Sequence, residues 1–538
     1  MKKIDISDNV ASVCIYIALI IFLCVGSCNE AKAQYFGENW TSVPANLTPE
    51  IRGYINEKIP VGGVYIGCFR NDKYAEKGNG IAPQVEINNV IALAELLKTN
   101  GKELKLIYTF DTRGRVSPEN AFVAFDQFIG AGIDIPAVRG GNEEFAKVAG
   151  HDNFTAYTSY LTPLESELSE RGFTGYFFIP LDRYDNIPDG KGKGEWNKDA
   201  AAYCALSPSR AGDIHMYWNE RNCPSMSRLQ VDANGERYLP TAVSNGAYLS
   251  FQDDFYRDSY IEVTTSTFID DVMSWYNLNF PNKVASITEF GPLAGVGTLQ
   301  GSLSYAAAED WFYNQIKNRK DVFAVCKFNG AGTPTGSITK AGKFDTNTGW
   351  TKRLSHYTQE LFLRNQNATP FQFTGEGQFN FSVHNLNSET LNLTLPEGYY
   401  FESFSYECIK GQYFYSSAGT MSWWANGSTK TYEIYGTKTF DYIPAMSYGY
   451  VTCTIKKIPV YGCSDPLANN YDATATQDDG SCVYDVMGCM SRDASNFNEA
   501  ATIDDGSCIF PPKECLKKRW LFTSMPCKKS KNNVCDCE

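Results

Sequence analysis

Two short stretches hold the residues best placed to do chemistry. The first, Ala137-Val138-Arg139-Gly140-Gly141-Asn142-Glu143-Glu144, is an apolar approach that ends in carboxylates beside paired glycines. The second, Ala285-Ser286-Ile287-Thr288-Glu289-Phe290-Gly291, is a β-branched run that ends in a carboxylate beside glycine. If both are parallel strands of a barrel, their ends share one rim, where such folds place their chemistry. Two carboxyl groups facing each other there, about 5 Å apart, can open a glycosidic bond with retention of configuration.

Neither motif suffices alone. Asn-Glu occurs five times, at Asn29, Asn56, Asn142, Asn219 and Asn498. Asn142-Glu143 differs from the others in its strand-like approach, its two glycines and the helical pattern that follows. Glu144, beside Glu143, leaves a one-residue ambiguity. Glu289 ends a run that should be buried, and burying a carboxylate without partners is costly. Between them, Asp213-Ile214-His215-Met216-Tyr217-Trp218 puts His215 and Tyr217 on one strand face by period-two alternation. Asn142, His215, Tyr217 and Trp218 form the candidate substrate-binding set. Glu220 is a rival acid, but too few strands separate it from Glu289. No Gly-x-Ser-x-Gly elbow, His-Glu-x-x-His pair or Walker loop competes.

The elements that would position these residues alternate between short apolar runs and helix-period segments from residue 61 to about residue 364. Strands are expected at 62–68, 104–110, 135–139, 176–181, 213–218, 284–290 and 322–328. Helices are expected at 85–99, 119–129, 161–171, 266–276, 304–317 and 351–363. This alternation marks a parallel α/β fold, and its length suits a (β/α)8 TIM barrel. An eighth strand lies either within 69–84 or before residue 61, where 34–60 reads as a polar lead-in. Segments 183–212 and 219–262 read as insertions beside the cleft. A doubly wound sheet fits less well, because no glycine-rich phosphate loop follows the first strand.

From 366 to 458 the pattern becomes that of an antiparallel β-sandwich, which Cys408 and Cys453 could bridge. Residues 459–510 hold two units of one length, Cys463 to Asp478-Asp479-Gly480-Ser481-Cys482 and Cys489 to Asp504-Asp505-Gly506-Ser507-Cys508. Each is too small to hold a core unaided, so disulfides Cys463–Cys482 and Cys489–Cys508 are expected. Asp478, Asp479, Asp504 and Asp505 are weak calcium candidates, acidic turns being more often only turns. The tail 511–538 is rich in lysine and cysteine.

A net charge of −13 argues against nucleic acid and anionic membranes as partners. Residues 1–33 read as a signal peptide with a small-x-small ending at Ala31-Lys32-Ala33; a lipid anchor at Cys28 is the alternative. Later segments are not apolar enough to span a bilayer. Cleavage after Ala33 leaves 14 of the 17 cysteines, an even number that suits an exported chain. Seven Asn-x-Ser/Thr sequons begin at Asn39, Asn46, Asn153, Asn367, Asn380, Asn392 and Asn426. The 75 Tyr, Phe and Trp residues (33, 33 and 9) can serve a β-rich core as well as a sugar cleft.

Gly141-Asn142-Glu143, His215-x-Tyr217 and Thr288-Glu289-Phe290-Gly291, in that order, resemble the clan A retaining glycoside hydrolases. The resemblance covers roughly 60–365. It implies that Glu143, after strand four, is the acid/base and that Asn142 binds the sugar 2-hydroxyl. Glu289, ending strand seven, would be the nucleophile, supported by His215 and Tyr217 from strand six. Several families of the clan carry a C-terminal β-sandwich, and Tyr442-Ile443-Pro444-Ala445-Met446-Ser447 resembles its closing strand. The cysteine-bounded units resemble modules of exported bacterial proteins. Two features depart from the pattern. Val325-Cys326-Lys327-Phe328-Asn329 stands where a strand-eight Trp is usual, and no strand-two arginine is evident, Arg113 being a candidate only. The resemblance implies a retaining β-glycosidase that needs no cofactor; the expected signal peptide and the accessory modules point to a poly- or oligosaccharide substrate outside the cytoplasm. A non-catalytic carbohydrate-binding protein on a decayed barrel, or an adhesive protein working through its C-terminal modules, are the alternatives.

Overall fold

The computed structural model describes residues 34–40, 43–112, 116–142, 154–182, 194–218, 223–228, 230–231, 237–238, 258–292, 303–328, 338–340, 350–352, 354–387, 389–410, 437–440, 442–511, 528–529 and 535–536. The expected signal peptide, Cys28, Arg113, Glu143, Glu144, Glu220 and nearly all of the tail lie outside them.

Eight parallel strands close into a barrel: β1 (Tyr35–Trp40), β2 (Val64–Arg70), β3 (Glu103–Phe110), β4 (Asp134–Gly140), β5 (Tyr176–Pro180), β6 (Arg210–Trp218), β7 (Ala285–Pro292) and β8 (Val322–Lys327). Each is followed by a helix: α1 (Pro49–Lys58), α2 (Gln84–Thr99), α3 (Pro118–Gly130), α4 (Phe154–Glu170), α5 (Gly194–Ala205), α6 (Phe268–Asn279), α7 (Leu303–Ile316) and α8 (Leu354–Arg364). The eighth strand is therefore β1, within the stretch read as a polar lead-in. It closes the barrel by pairing with β8 on one side and β2 on the other.

The polarity of β1 has a structural cause. Glu38 points outward and is fully buried in an ion pair with Lys58 of α1 at 2.9 Å, while Tyr65 donates to it at 2.6 Å. Asn39 points inward to the rim. A buried strand that carries charge and amide for named partners does not look apolar. Local caps start the helices around it. Thr48 accepts from Ile51 N ahead of Pro49, and Ser117 accepts from Asn120 N ahead of Pro118, each proline taking a position that needs no N–H. The segment 183–212, expected as an insertion, supplies α5 and the start of β6.

Alternation sorts the strand residues into two layers. Ile66, Cys68, Ile107, Ala137, Phe178, Ala211, Ala324 and Cys326 fill the barrel interior below the rim. Tyr65, Phe69, Tyr108, Val138, Ile214, Met216, Ile287, Phe290 and Val325 face the helices in the larger core.

After α8 comes an antiparallel sheet of four strands, β9 (Gly377–Asn385), β10 (Tyr399–Lys410), β11 (Thr437–Phe440) and β12 (Ser447–Lys457), in the order β9-β12-β10-β11. Apart from Tyr399, Tyr400, Lys456 and Lys457 at its strand ends, it belongs to the same compact unit as the barrel. Asp310 of α7, fully buried, accepts from Tyr450 at 2.7 Å and faces His384 Nε2 at 2.8 Å, joining helix to sheet. Cys408 and Cys453 are separate buried thiols, so the bridge that they could have formed is not made. Cys408 packs against Gly449, whereas Cys453 sits four residues further along β12 opposite Phe379. Four residues of strand span about 13 Å, beyond a disulfide's reach.

The second unit holds the two cysteine-bounded repeats. Disulfides join Cys463 to Cys482 and Cys489 to Cys508, as expected. Each repeat pairs two short parallel strands, Tyr461–Gly462 with Gln477–Asp478 and Met487–Gly488 with Ile503–Asp504.

Candidate active site

The rim is built by interruptions in regular strands. Along β7, Ser286 faces the interior and Ile287 the helices. The register against β6 then slips, Ile214 opposing Ile287 but His215 opposing Glu289. Thr288 is the extra residue of this bulge. Bulges re-aim side chains, and here Thr288 and Glu289, although consecutive, both reach inward. Phe290 resumes the outward face and stacks on Phe312 with centroids 4.4 Å apart.

Donors from three other strands surround the Glu289 carboxylate, which is 3% exposed. Tyr217 of β6 donates its hydroxyl to Oε2, and His215 Nδ1 lies 3.3 Å from the same oxygen. Asn39 of β1 donates from Nδ2 to Oε1 at 3.3 Å and to the Thr288 carbonyl at 3.2 Å. The Arg70 guanidinium, ending β2, stands 3.6 Å from Oε1. Arg70 is itself held by Asp72 through paired bonds of 2.8 and 2.7 Å.

Across the rim, β4 ends in two glycines for two reasons. A Cβ on Gly140 would meet the Tyr157 hydroxyl at 2.6 Å, and Gly141 has φ +89°, which side chains disfavour. The turn they make carries Asn142 inward, where it is 3% exposed. Arg139, fully buried on the inward face of β4, donates to Asn142 Oδ1 and pairs with Asp213 of β6 at 2.8 Å. Ser286 and Thr288 also donate to Asp213, at 2.6 and 2.8 Å. Burial pushes the Asp213 carboxyl up, but the Arg139 charge and the polar neighbours around it together hold it below the usual range.

Asn142, His215, Tyr217 and Glu289 thus come together. Trp218 does not. Alternation turns it outward, edge-on to Tyr305 of α7 at 5.5 Å, so it lies in the core rather than the cleft. In its place Phe328, just past β8, brings a ring to within 6.3 Å of Tyr217. Lys327 turns outward toward Glu309, 3.5 Å away. Asn39, read as a glycosylation sequon, is fully buried at the site and unavailable for modification. The calcium candidates are occupied with turns: Asp478 and Asp479 accept from the N–H groups of Gly480 and Ser481, Asp504 and Asp505 from those of Gly506 and Ser507. Among the described residues no cluster of three metal-ligating side chains occurs.

Three contributors escape a reading of the sequence. Asn39 sits in the polar strand β1. Arg70 extends β2 beyond its apolar run, although Ile66, Cys68 and Arg70 share one face by alternation. The Arg139–Asp213 pair puts opposite charges inside two strand-like runs, which signals a buried partnership only once the strands are known to face each other.

No family model matches the chain, and no curated protein matches it. Solved structures do. A family 51 α-L-arabinofuranosidase from Bifidobacterium longum is 10% identical, over 79% of this chain and 96% of that one, with a TM-score of 0.43. A glucosidase from Croceicoccus marinus is 9% identical over 79% and 96%, TM-score 0.39. A family 1 β-glucosidase from Thermotoga maritima is 10% identical over 59% and 86%, TM-score 0.33. At this depth of similarity the reaction has to be argued from the chain's own residues.

Proposed function

We propose that the chain is an exported retaining glycoside hydrolase that cleaves β-glycosidic bonds of a poly- or oligosaccharide by double displacement. The observation that carries this reading is the set of donors converging on Glu289 at the end of β7, on the rim that also bears Asn142. Glu289 attacks the anomeric carbon as the glycosidic bond breaks. Glu143, next to Asn142, gives its proton to the leaving oxygen. Glu143 then takes a proton from water, which attacks the same carbon and returns Glu289 to its carboxylate form. The ring of donors orients the attacking oxygen and receives the charge that returns when the covalent intermediate is hydrolysed. Phe328 and Tyr217 offer apolar surface to a sugar ring, and Asn142 a polar group to its hydroxyls. Residues 1–33 direct export, and the two disulfides of the repeats suit an oxidising compartment.

Hydrolysis of a panel of β-linked glycans and aryl glycosides tests this, with Glu143→Gln and Glu289→Gln beside the wild type. Loss of cleavage in both folded variants is expected. Cleavage that survives Glu289→Gln would overturn the mechanism. Glycan binding by a wild type that cleaves nothing would instead favour the non-catalytic carbohydrate-binding protein.

A further inference from the structure

Arg139 does more than neutralise Asp213. Its Nε engages Asp213 at 2.8 Å, which settles its charge. The same guanidinium then reaches two rim residues from different strands. One terminal nitrogen, Nη2, contacts Asn142 Oδ1 and lies 3.3 Å from His215 Nε2. We propose that Arg139 is a positioning residue that fixes the His215 tautomer, so that the imidazole carries its proton on Nδ1 and donates it to Glu289. The proposal rests on reading Glu289 as the reacting carboxylate.

A guanidinium has N–H donors only and no lone pair to offer. A proton on His215 Nε2 would meet one of those N–H groups head on, whereas a lone pair there accepts it. Among the described residues, Thr288 Oγ1 at 3.4 Å and Asp213 Oδ2 at 3.6 Å from Nε2 can also accept a proton. Both are further away than Arg139; the Thr288 hydroxyl, which directs its own proton to Asp213, has a lone pair for an Nε2 proton, but filling it would leave the closer Arg139 N–H facing another N–H. With Nε2 taken as acceptor, the one proton of a neutral imidazole sits on Nδ1, 3.3 Å from Glu289 Oε2. The opposite tautomer would turn a lone pair toward that carboxylate and replace a donor by a repulsion.

Among the described residues, charged and titratable groups on four strands surround the ring, with Tyr217 of β6 beside it. Arg139 lies on β4, Asp213 on β6 itself, Glu289 on β7 and Arg70 on β2, where Cys68 also touches Arg139 at 3.5 Å. Arg139 is the member of this set that touches both His215 and Asn142. It thereby ties the orientation of the residue preceding the expected acid/base to the hydrogen bonding of the expected nucleophile.

The test reads the tautomer directly. The chain has four histidines, so long-range proton–nitrogen spectra of protein labelled with ¹⁵N-histidine are simple, and His215→Gln assigns the signal. The wild type is expected to show the Nδ1–H form at neutral pH. The double variant Arg139→Gln/Asp213→Asn removes both charges and strands neither. It is expected to lose that form and to lower kcat/KM about 10–100-fold, the worth of one hydrogen bond to a charged group. Arg139→Lys keeps the charge and should retain the Nδ1–H form, so it carries the test if the double variant fails to fold. An Nε2–H signal in the wild type or in Arg139→Lys overturns the proposal. So does an unchanged Nδ1–H signal in a folded double variant. A wild type that shows the Nδ1–H form yet cleaves no glycan overturns the glycosidase reading alone.

Discussion

A carboxylate taken out of water needs donors in place of the water it loses, and Glu289 finds them on three other strands of the barrel. Tyr217 is the member that can be removed with least disturbance, because phenylalanine keeps its ring and its contact with Phe328. Tyr217→Phe should lower kcat/KM about 10–100-fold, the worth of a hydrogen bond to a charged group, and leave the melting temperature nearly unchanged. An equal fall in stability and activity would mean that the hydroxyl serves the fold instead. Asp213 makes a different prediction. Its carboxyl titrates below the usual range in the folded chain because the Arg139 charge and its other polar neighbours together outweigh burial. A depressed pKa stabilises the fold fully above the unfolded value, near 3.9, and that stabilisation disappears as the pH falls through the folded value. Urea midpoints of the wild type and Asp213→Asn should therefore differ most above about pH 5 and converge at lower pH. A gap that stays constant on acidification would refute the assigned pairing.

At the scale of elements, the site depends on breaks in regular strands rather than on the strands themselves. The bulge at Thr288 presents two consecutive side chains to the interior, and Gly140-Gly141 turns Asn142 into the rim. Gly141→Ala asks a residue with a Cβ to hold φ +89°, and should cost about 1–2 kcal/mol. Denaturant unfolding measures that cost, and the displaced Asn142 should lower activity further than stability. The same breaks make part of the site legible in the amino-acid sequence. Glycines and a carboxylate interrupting β4 and β7, and the His-x-Tyr alternation of β6, are local features that stay visible there. The fold class, seven of the eight strands and the four rim residues Asn142, His215, Tyr217 and Glu289 can be read this way. β1 cannot, because Glu38 and Asn39 are polar for partners far along the chain, Lys58 and Glu289. Helix α5 is hidden by a glycine- and lysine-rich approach that looks like a loop. Trp218 is misread because it adjoins a face it does not share. Arg70 and the Arg139–Asp213 pair are non-local, and only closure of the barrel brings them to the site.

The whole molecule divides its sources of stability between two units. The barrel and its sheet rest on a large apolar core and on buried polar joints such as Asp310 with Tyr450, and their described cysteines are thiols. The repeats have no comparable core. Tyr461, Leu467, Met487, Ile509 and Phe510 stand exposed, and each repeat closes on one disulfide spanning 19 residues. Cross-links of that span contribute about 3 kcal/mol each by restricting the unfolded chain, a large share of what so small a unit can hold. Mild reduction should accordingly unfold the repeats and spare the barrel. Limited proteolysis of the reduced protein is expected to cut first between residues 459 and 510, while glycan hydrolysis and the main thermal transition persist. Loss of the proposed hydrolysis on reduction, with the described barrel cysteines already thiols, would mean that the activity depends on the repeats.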